Sequence, residues 1–227
     1  MLESLKKEVC EANLELVREG LVFHTWGNAS GISRQDGFVV IKPSGVSYHR
    51  MKPRDMVVVD LNGNIVEGEY SPSVDLPIHL EIYKSIDRAE AVIHTHSHYA
   101  TCWAQARKSI PCYGTTHADY FLGDIPLTNL PKTDNYEVST GRAIVECVKS
   151  KGVEWCKAVL VPGHGPFCWA EDIDKCIEVA KIVEELARLA YDTFMLSEGT
   201  PILLEKELLE KHFRRKWGPD AYYGQKR

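Results

Sequence analysis

The chain has 227 residues, of which 44% are hydrophobic, and it carries a formal net charge of -5. That length and apolar content suffice for one sizeable core, so we expect a single domain over residues 1–227. The near-balanced charge argues against a nucleic-acid binder, and no apolar run approaches the roughly 20 residues of a membrane-spanning helix. The N-terminus lacks the apolar core of a signal peptide, and the cysteines contain no Cys-x-x-Cys pair. We therefore expect a cytoplasmic protein with reduced thiols.

The N-terminal third mixes helical and strand patterns. Apolar residues recur at helical spacing from position 2 to position 16, which predicts an opening helix that ends before Gly20. Residues 26–31 are predicted to form a tight turn. The pair Asn62-Gly63 is a strong hairpin signal between two apolar runs. Strands are predicted over residues 38–42, 56–61 and 64–67.

Helices dominate the rest of the chain. Pro77 is typical of a first helical turn and predicts a helix that reaches residue 85. The further predicted elements are a strand over 91–96, helices over 97–106 and 137–151, a strand over 157–161, and helices over 171–196 and 203–212. Strands that alternate with helices but are partly joined by hairpins predict an α/β fold. We expect a central mixed, largely antiparallel sheet flanked by helices.

Two histidines follow an apolar run, and they are the first chemically informative feature. Side chains of a strand alternate between its faces, so His94 and His96 are expected to point the same way. Asp75 and His164, in loops bounded by glycine or proline, would complete a site for zinc or another divalent transition metal. Asp75 also stands two residues before Pro77, where it would simply cap a helix. Both interpretations of Asp75 remain open.

A second set of residues has the chemistry of an anion site. Small hydroxyls, backbone N–H groups and one ammonium are the groups from which phosphate cradles are built. Lys42 would serve as a point-charge partner. Each of these segments alone is also typical of an ordinary turn. The set comprises Gly27, Asn28, Lys42, Ser44, Gly45 and Ser73.

Two further segments carry polar or aromatic residues of interest. The stretch 114–120 offers His117 and Asp119 for proton transfer, although a surface loop with local hydrogen bonds would look the same. The C-terminal segment is basic and aromatic. A frayed tail is the default for such a segment, but Trp217 and the two tyrosines that follow it predict docking on another surface.

Taken in order along the chain, these motifs resemble the L-ribulose-5-phosphate 4-epimerases of the class II aldolase and epimerase superfamily. The resemblance covers essentially the whole chain and implies a class II aldolase-like fold. The motifs are Trp26-Gly27-Asn28, Lys42-Pro43-Ser44-Gly45-Val46, Ser73-Val74-Asp75, His94-Thr95-His96-Ser97, residues 114–121, His164-Gly165-Pro166-Phe167 and residues 221–225. Asp75 and the C-terminal Tyr-Tyr-Gly-Gln favour the epimerase branch, because related sugar-phosphate aldolases usually carry a catalytic Glu in place of that aspartate.

The resemblance also implies roles for particular residues. Zinc would be held by Asp75, His94, His96 and His164. The phosphate of a ketopentose-phosphate substrate would be held by Gly27, Asn28, Ser44, Gly45, Ser73 and Val74, with Lys42 nearby. Asp119 and Tyr223 would be the acid/base pair, with His212 close to them. The resemblance further implies a homotetramer with active sites at subunit interfaces, the C-terminal tyrosine coming from the neighbour.

One departure from the family pattern and several alternatives accompany this interpretation. The family has Ser-Ser-Asp where this chain has Ser73-Val74-Asp75, so one hydroxyl is lost and only the N–H of Val74 would donate to the phosphate. A class II aldolase that releases its products is the main alternative. A dehydratase of the same fold is more distant, as is a non-catalytic scaffold like a cytoskeletal head domain that lacks the metal residues.

Overall fold

A computed structural model of the protein describes residues 2–152, 155–219 and 221–224. Its strands are β1 (Asn28–Ser33), β2 (Phe38–Ile41), β3 (Val57–Asp60), β4 (Ile65–Glu67), β5 (Ala91–His94), β6 (Ala158–Val161) and β7 (Gly165–Ala170). Its helices are α1 (Glu3–Arg18), α2 (Leu76–Ser85), α3 (His98–Gln105), α4 (Thr115–Ala118), α5 (Tyr136–Lys151), α6 (Ile173–Leu196) and α7 (Lys206–Arg214), with a 3-10 turn at Pro53–Asp55.

The strands form one sheet in the order β4-β3-β2-β1-β5-β7-β6. Each ladder between these strands is antiparallel, and an isolated bridge between Leu127 and Leu160 is parallel. The predicted hairpin at Asn62-Gly63 joins β3 to β4. The predicted α/β fold with a largely antiparallel sheet flanked by helices is confirmed.

Helices cover both faces of the sheet because its central strands are apolar on both faces. Val40 and Val58 belong to a core cluster that includes residues of α1, α3 and α6. Their neighbours Val39 and Val57 belong to a second cluster that includes residues of α2 and α5. This division follows from the two-residue period of strand side chains. None of the helices in the described ranges combines the length and apolarity needed to cross a membrane, and the seven cysteines are free thiols.

Strands β1, β5 and β7 differ from the sequence prediction. The tight turn predicted over 26–31 is wrong, because β1 begins at Asn28 and pairs with both β2 and β5. Its small polar residues lack the apolar alternation that marks a strand. Strand β7 has no predicted counterpart, since its Gly-Pro start resembles a loop, yet all its residues are buried. The predicted strand over 91–96 ends at His94, so His96 lies beyond it.

Gly27 allows the chain to enter β1 close to the end of β5. Its φ is +74°, in the left-handed region that glycine tolerates best. A Cβ at this position would lie 2.6 Å from Cγ1 of Val22 and 2.9 Å from the backbone oxygen of His94. A side chain at Gly27 would therefore push against the strand end that carries His94.

Gly27→Ala should destabilise the protein more than Gly37→Ala. Gly37 has the same φ, but a Cβ there would have nothing within 4 Å. Both variants incur left-handed backbone strain of roughly 1–2 kcal/mol, and crowding at Gly27 should add about 1–3 kcal/mol. Urea unfolding of the two variants measures the difference in the free energy of unfolding. Equal losses would contradict the close approach described above.

Candidate active site

Three histidines from two parts of the chain converge where β5 ends and β7 begins. His94 ends β5, His96 lies two residues later, and His164 lies in the turn between β6 and β7. One ring nitrogen from each lies within 4.8 Å of the others. The Nε2 atoms of His94 and His96 are 3.0 Å apart. We call these residues the histidine triad.

The ring of His94 is held from two sides. Its Nδ1 lies 2.9 Å from the backbone oxygen of Pro166, so the Nδ1–H donates to that carbonyl and Nε2 keeps its lone pair. The ring of Phe167 stacks on the imidazole with centroids 4.2 Å apart and an interplanar angle of 13°. A histidine whose other nitrogen donates to a carbonyl has the arrangement typical of metal ligands.

The electrostatics of the triad favour neutral imidazoles. Burial lowers the pKa of His94 well below its usual value, and the neighbouring rings of His164 and His96 add to the effect. Burial also lowers the pKa of His96 and His164, against the opposing influence of Asp75. Metal–nitrogen bonds near 2.0–2.1 Å in a tetrahedral site separate nitrogens by about 3.3 Å, close to the separation of the two Nε2 atoms. The donor set therefore fits a divalent metal such as zinc.

Asp75 lies beside the triad but its carboxylate has another partner. It occupies the N-cap position of α2, yet its side chain makes no capping hydrogen bond, so the alternative of a simple helix cap is wrong. Its Oδ2 accepts a 2.7 Å hydrogen bond from Nδ2 of Asn28. The group of donor atoms within 4.8 Å of one another contains the triad without Asp75, so its role as a fourth ligand stays a prediction.

The residues of the predicted anion site are brought together by two paired loops. The N–H of Ser44 donates to the oxygen of Ser71, and the N–H of Ser73 donates to the oxygen of Lys42, both at 2.9 Å. Asn28 links this pair of loops to Asp75, because its Nδ2 donates both to Oδ2 of Asp75 and to Oγ of Ser73 at 3.0 Å. The N–H of Asp75 donates to Oγ of Ser73 at 3.4 Å, so the second loop places the Ser73 hydroxyl beside Asp75.

Several groups in these loops have free hydrogen-bonding capacity. Among the described residues, no acceptor pairs with the N–H of Gly45 or of Val74. The Oδ1 of Asn28 is buried and also has no partner there. The side chain of Val74 is exposed and apolar, so Val74 can offer an anion only its N–H. We call Asn28, Ser44, Gly45, Ser73 and the N–H of Val74 the anion cradle.

Lys42 places a buried cation next to the cradle. Its Nζ donates to the oxygen of Thr25 at 3.2 Å and lies 4.8 Å from the centroid of the Tyr48 ring. Burial lowers the pKa of Lys42 to about 8, against the opposing influence of Asp75. No carboxylate bonds this ammonium among the residues that the structure describes, so an incoming anion would relieve an incompletely compensated charge.

The predicted acid/base residues form a separate cluster that packs α4 against α7. Arg215 donates two hydrogen bonds to the carboxylate of Asp119, at 2.9 and 2.6 Å, and Nδ1 of His212 lies 3.1 Å from it. Burial alone would raise the pKa of Asp119, but the hydrogen bonds from Arg215 and His212 outweigh it and lower that pKa. Trp217 donates its indole N–H to the backbone oxygen of Asp119. The predicted docking of Trp217 is confirmed.

Tyr223 lies on the outer side of this cluster. Its ring centroid is 5.2 Å from the guanidinium of Arg215 and 4.6 Å from Nζ of Lys216, and its side chain remains 61% exposed. We call Asp119, His212, Arg215 and Tyr223 the acid/base patch. Among the contacts of the described residues, none joins this patch to the histidine triad of the same chain. Gln225, which ends the C-terminal motif, lies outside the described residues.

The sequence reasoning overlooked three contributors. Phe167 stacks on His94, the hydroxyl of Tyr136 lies 3.3 Å from Nδ1 of His164, and Arg215 holds Asp119. Phe167 belongs to a motif already noted and Arg215 to the basic C-terminal segment, but a sequence carries no signal for a stacking or ion-pair partner. His117 is buried with Nε2 bonded to the oxygen of Gly123, and burial lowers its pKa to about 4.

Comparison with known proteins identifies a family model and solved structures to which the chain is similar. The sequence-family model of the class II aldolase and adducin N-terminal domain matches residues 7–191 of this chain. L-fuculose 1-phosphate aldolase is 29% identical, with a TM-score of 0.79, over 93% of this chain and 95% of that one. YgbL from Klebsiella pneumoniae, assigned as an aldolase, epimerase or decarboxylase, is 22% identical, with a TM-score of 0.74 over 93% and 99% of the two chains. The L-fuculose-1-phosphate aldolase of Thermus thermophilus is 24% identical, with a TM-score of 0.69 over 88% and 98%. The last two likenesses show the fold alone.

His96→Asn should abolish stoichiometric binding of a divalent transition metal, whereas His98→Asn should not. His98 is exposed at the start of α3 and lies outside the triad. The measurement is metal content by elemental analysis after zinc loading and removal of free ion. Full metal content in the His96 variant, or equal losses of metal in both variants, would show that the triad does not bind the metal.

Proposed function

Because the chain belongs to the class II aldolase and adducin domain family, we propose that it is a zinc-dependent 4-epimerase of sugar phosphates. The proposed reaction interconverts L-ribulose 5-phosphate and D-xylulose 5-phosphate. The observation that carries the proposal is the convergence of Asp119 with His212 and Tyr223 in one patch, since Asp119 is 93 positions from His212 in the sequence. An epimerase needs two acid/base groups, and this patch supplies two besides the histidine.

The chemistry at C4 requires a carbon–carbon bond to break. The hydrogen on C4 is not α to the C2 carbonyl, so inversion by simple deprotonation is not available. Removal of the C4 hydroxyl proton instead allows the C3–C4 bond to cleave, which leaves glycolaldehyde phosphate and the enediolate of dihydroxyacetone. The aldehyde then rotates, and the enediolate carbon attacks its other face. When bound at the triad, a zinc ion would supply Lewis-acid stabilisation of the negative charge on oxygen.

The anion cradle would hold the substrate phosphate through this sequence. Ser44 and Ser73 offer hydroxyls, Gly45 and Val74 offer free N–H groups, and Lys42 supplies the nearby positive charge. With its phosphate fixed, the aldehyde fragment can turn about its own bonds without leaving the site. The loss of the second serine hydroxyl at position 74 should weaken phosphate binding relative to a Ser-Ser pair.

Asp119 and Tyr223 would exchange protons with the C4 oxygen. That oxygen lies on different sides of the carbon before and after inversion, so one group is needed on each side. Asp119 is held rigidly by Arg215, whereas Tyr223 is exposed and free to meet a substrate. His212 donates to Asp119 and would position it.

The setting of Asp75 supports an epimerase over an aldolase. Its carboxylate is bonded to Asn28 and lies next to the triad, which suits a fourth metal ligand. In the related aldolases, the corresponding residue is usually a glutamate that acts as the base. The shorter aspartate, tied to an amide, is poorly placed for that role.

The separation of triad and patch supports a site shared between subunits of a homotetramer. Trp26 lies close to the ring of His96 and is 54% exposed, and Phe23, which contacts Trp26, is 72% exposed. Tyr222, beside Tyr223, is 71% exposed. Exposed aromatic side chains in such groups are typical of interfaces. We propose that the patch of one chain faces the triad of another.

A second candidate function is an aldolase that releases its products. The 29% identity to an L-fuculose 1-phosphate aldolase over nearly the whole chain favours it. Under this alternative, the substrate would be a related sugar 1-phosphate.

Product analysis separates the epimerase from an aldolase that also accepts L-ribulose 5-phosphate. The zinc-loaded protein is incubated with L-ribulose 5-phosphate, with and without a chelator, and D-xylulose 5-phosphate and free dihydroxyacetone are quantified. We expect chelator-sensitive D-xylulose 5-phosphate without free dihydroxyacetone. Accumulation of dihydroxyacetone would favour the aldolase. If neither product formed, the epimerase proposal would be contradicted.

Tyr223→Phe should lower turnover by roughly 10²–10⁴-fold, because the phenol proton is lost while zinc content stays unchanged. Mixing these chains with His96→Asn chains should restore activity, since some sites then pair an intact triad with an intact patch. Tyr223→Phe mixed with Asp119→Asn should give no rescue, because both changes lie in one patch. Absence of rescue in the first mixture, after verified subunit exchange, would argue against a shared site.

A further inference from the structure

Tyr136 is a polar aromatic residue at the triad that the proposed reaction does not use. It is the first residue of α5 and is half-buried. Its hydroxyl lies 3.3 Å from Nδ1 of His164, and the two ring centroids are 6.0 Å apart. Burial raises the pKa of Tyr136, and the carboxylate of Asp75 lies near enough to add to that rise. The phenol thus contacts His164, a residue of the proposed metal site.

The start of α5 is held firmly, so the position of Tyr136 is not accidental. Ile144 and Val148, on the buried face of the same helix, pack fully into the core beneath the sheet. Thr140 donates its hydroxyl to the backbone oxygen of Tyr136 at 2.8 Å, which closes the first turn. The helix therefore holds the hydroxyl of Tyr136 at a fixed distance from His164.

His164 needs such a partner more than His94 does. His94 lies in a strand, donates to the oxygen of Pro166, and has the ring of Phe167 stacked on it. His164 lies in the turn before β7, and Phe167 meets it only edge-on, at 5.7 Å and 75°. Among the described residues, the contact with Tyr136 is the single hydrogen bond of the His164 side chain.

We propose that Tyr136 is a positioning residue for His164. The phenol oxygen accepts the Nδ1–H of the imidazole, which fixes the ring orientation and leaves Nε2 with the lone pair that a metal takes. Partners of this kind raise metal affinity by about 10–100-fold when they orient a histidine ligand. The proposal rests on the metal site of the proposed function. It means that α5, through Tyr136, orients His164 in the turn between β6 and β7.

Tyr136→Phe tests this role, because it removes the hydroxyl and keeps the ring. The matched control is Tyr191→Phe, whose phenol lies on α6 and whose ring contacts Tyr99. For each metal-free protein, the zinc dissociation constant is measured by competition with a chromophoric chelator. The visible spectrum of the cobalt-substituted protein reports the geometry of the ligands, and thermal unfolding of the metal-free protein reports the fold.

We expect zinc to bind roughly 10–100-fold more weakly to Tyr136→Phe, with an altered cobalt spectrum and an unchanged midpoint of unfolding. The Tyr191 control should match the wild type in all three measurements. A dissociation constant within twofold of wild type, together with an identical cobalt spectrum, would overturn the role of Tyr136 and leave the proposed function standing. If the wild-type protein itself bound no zinc, this inference and the metal-dependent function would both fail.

Discussion

The register of three neighbouring strands is the constraint on which the site depends. In that register, Asn28 of β1 is opposite His94 of β5, and His94 is opposite Phe167 of β7. A residue of the anion cradle, a member of the triad and the ring stacked on it therefore lie in one row across the sheet. A slip of one residue in either ladder would turn His94 to the other face, where α1, α3 and α6 pack.

The buried polar groups around this row would cost free energy of folding if they had no ligand. The converging nitrogens of the three imidazoles disfavour protonation of any one ring, because the charges would repel one another. Lys42 is a buried cation, and no carboxylate bonds it among the described residues. A metal ion and a phosphate are the ligands that such groups complement. The acid/base patch differs in that Asp119 is already compensated by Arg215, so the patch is stable without a ligand. The two halves of the proposed site thus differ in what they need to bind.

Much of the fold could be predicted from apolar periodicity, because α1, α5 and α6 and the strands β2, β3 and β5 carry clear patterns. Strand β1 could not be predicted in this way. Its small polar residues are buried because they make side-chain contacts such as that between Ser30 and His79. The triad was predictable because His94 and His96 stand at alternate positions after an apolar run and His164 lies between two glycines. The partners of the triad and patch, Tyr136, Phe167 and Arg215, depend on packing between distant segments, which a single sequence does not encode locally.

The measurement that tests the shared site most directly is a distance between chains. His96→Asn chains carrying 3-fluorotyrosine at position 223 are co-assembled with unlabelled, cobalt-loaded chains, and the relaxation of the fluorine signal is recorded. Because the labelled chains lack a complete triad, any paramagnetic broadening must come from a neighbouring chain. We expect strong broadening relative to a zinc-loaded sample. An unbroadened signal after verified co-assembly would contradict a site built from the triad of one chain and the patch of another.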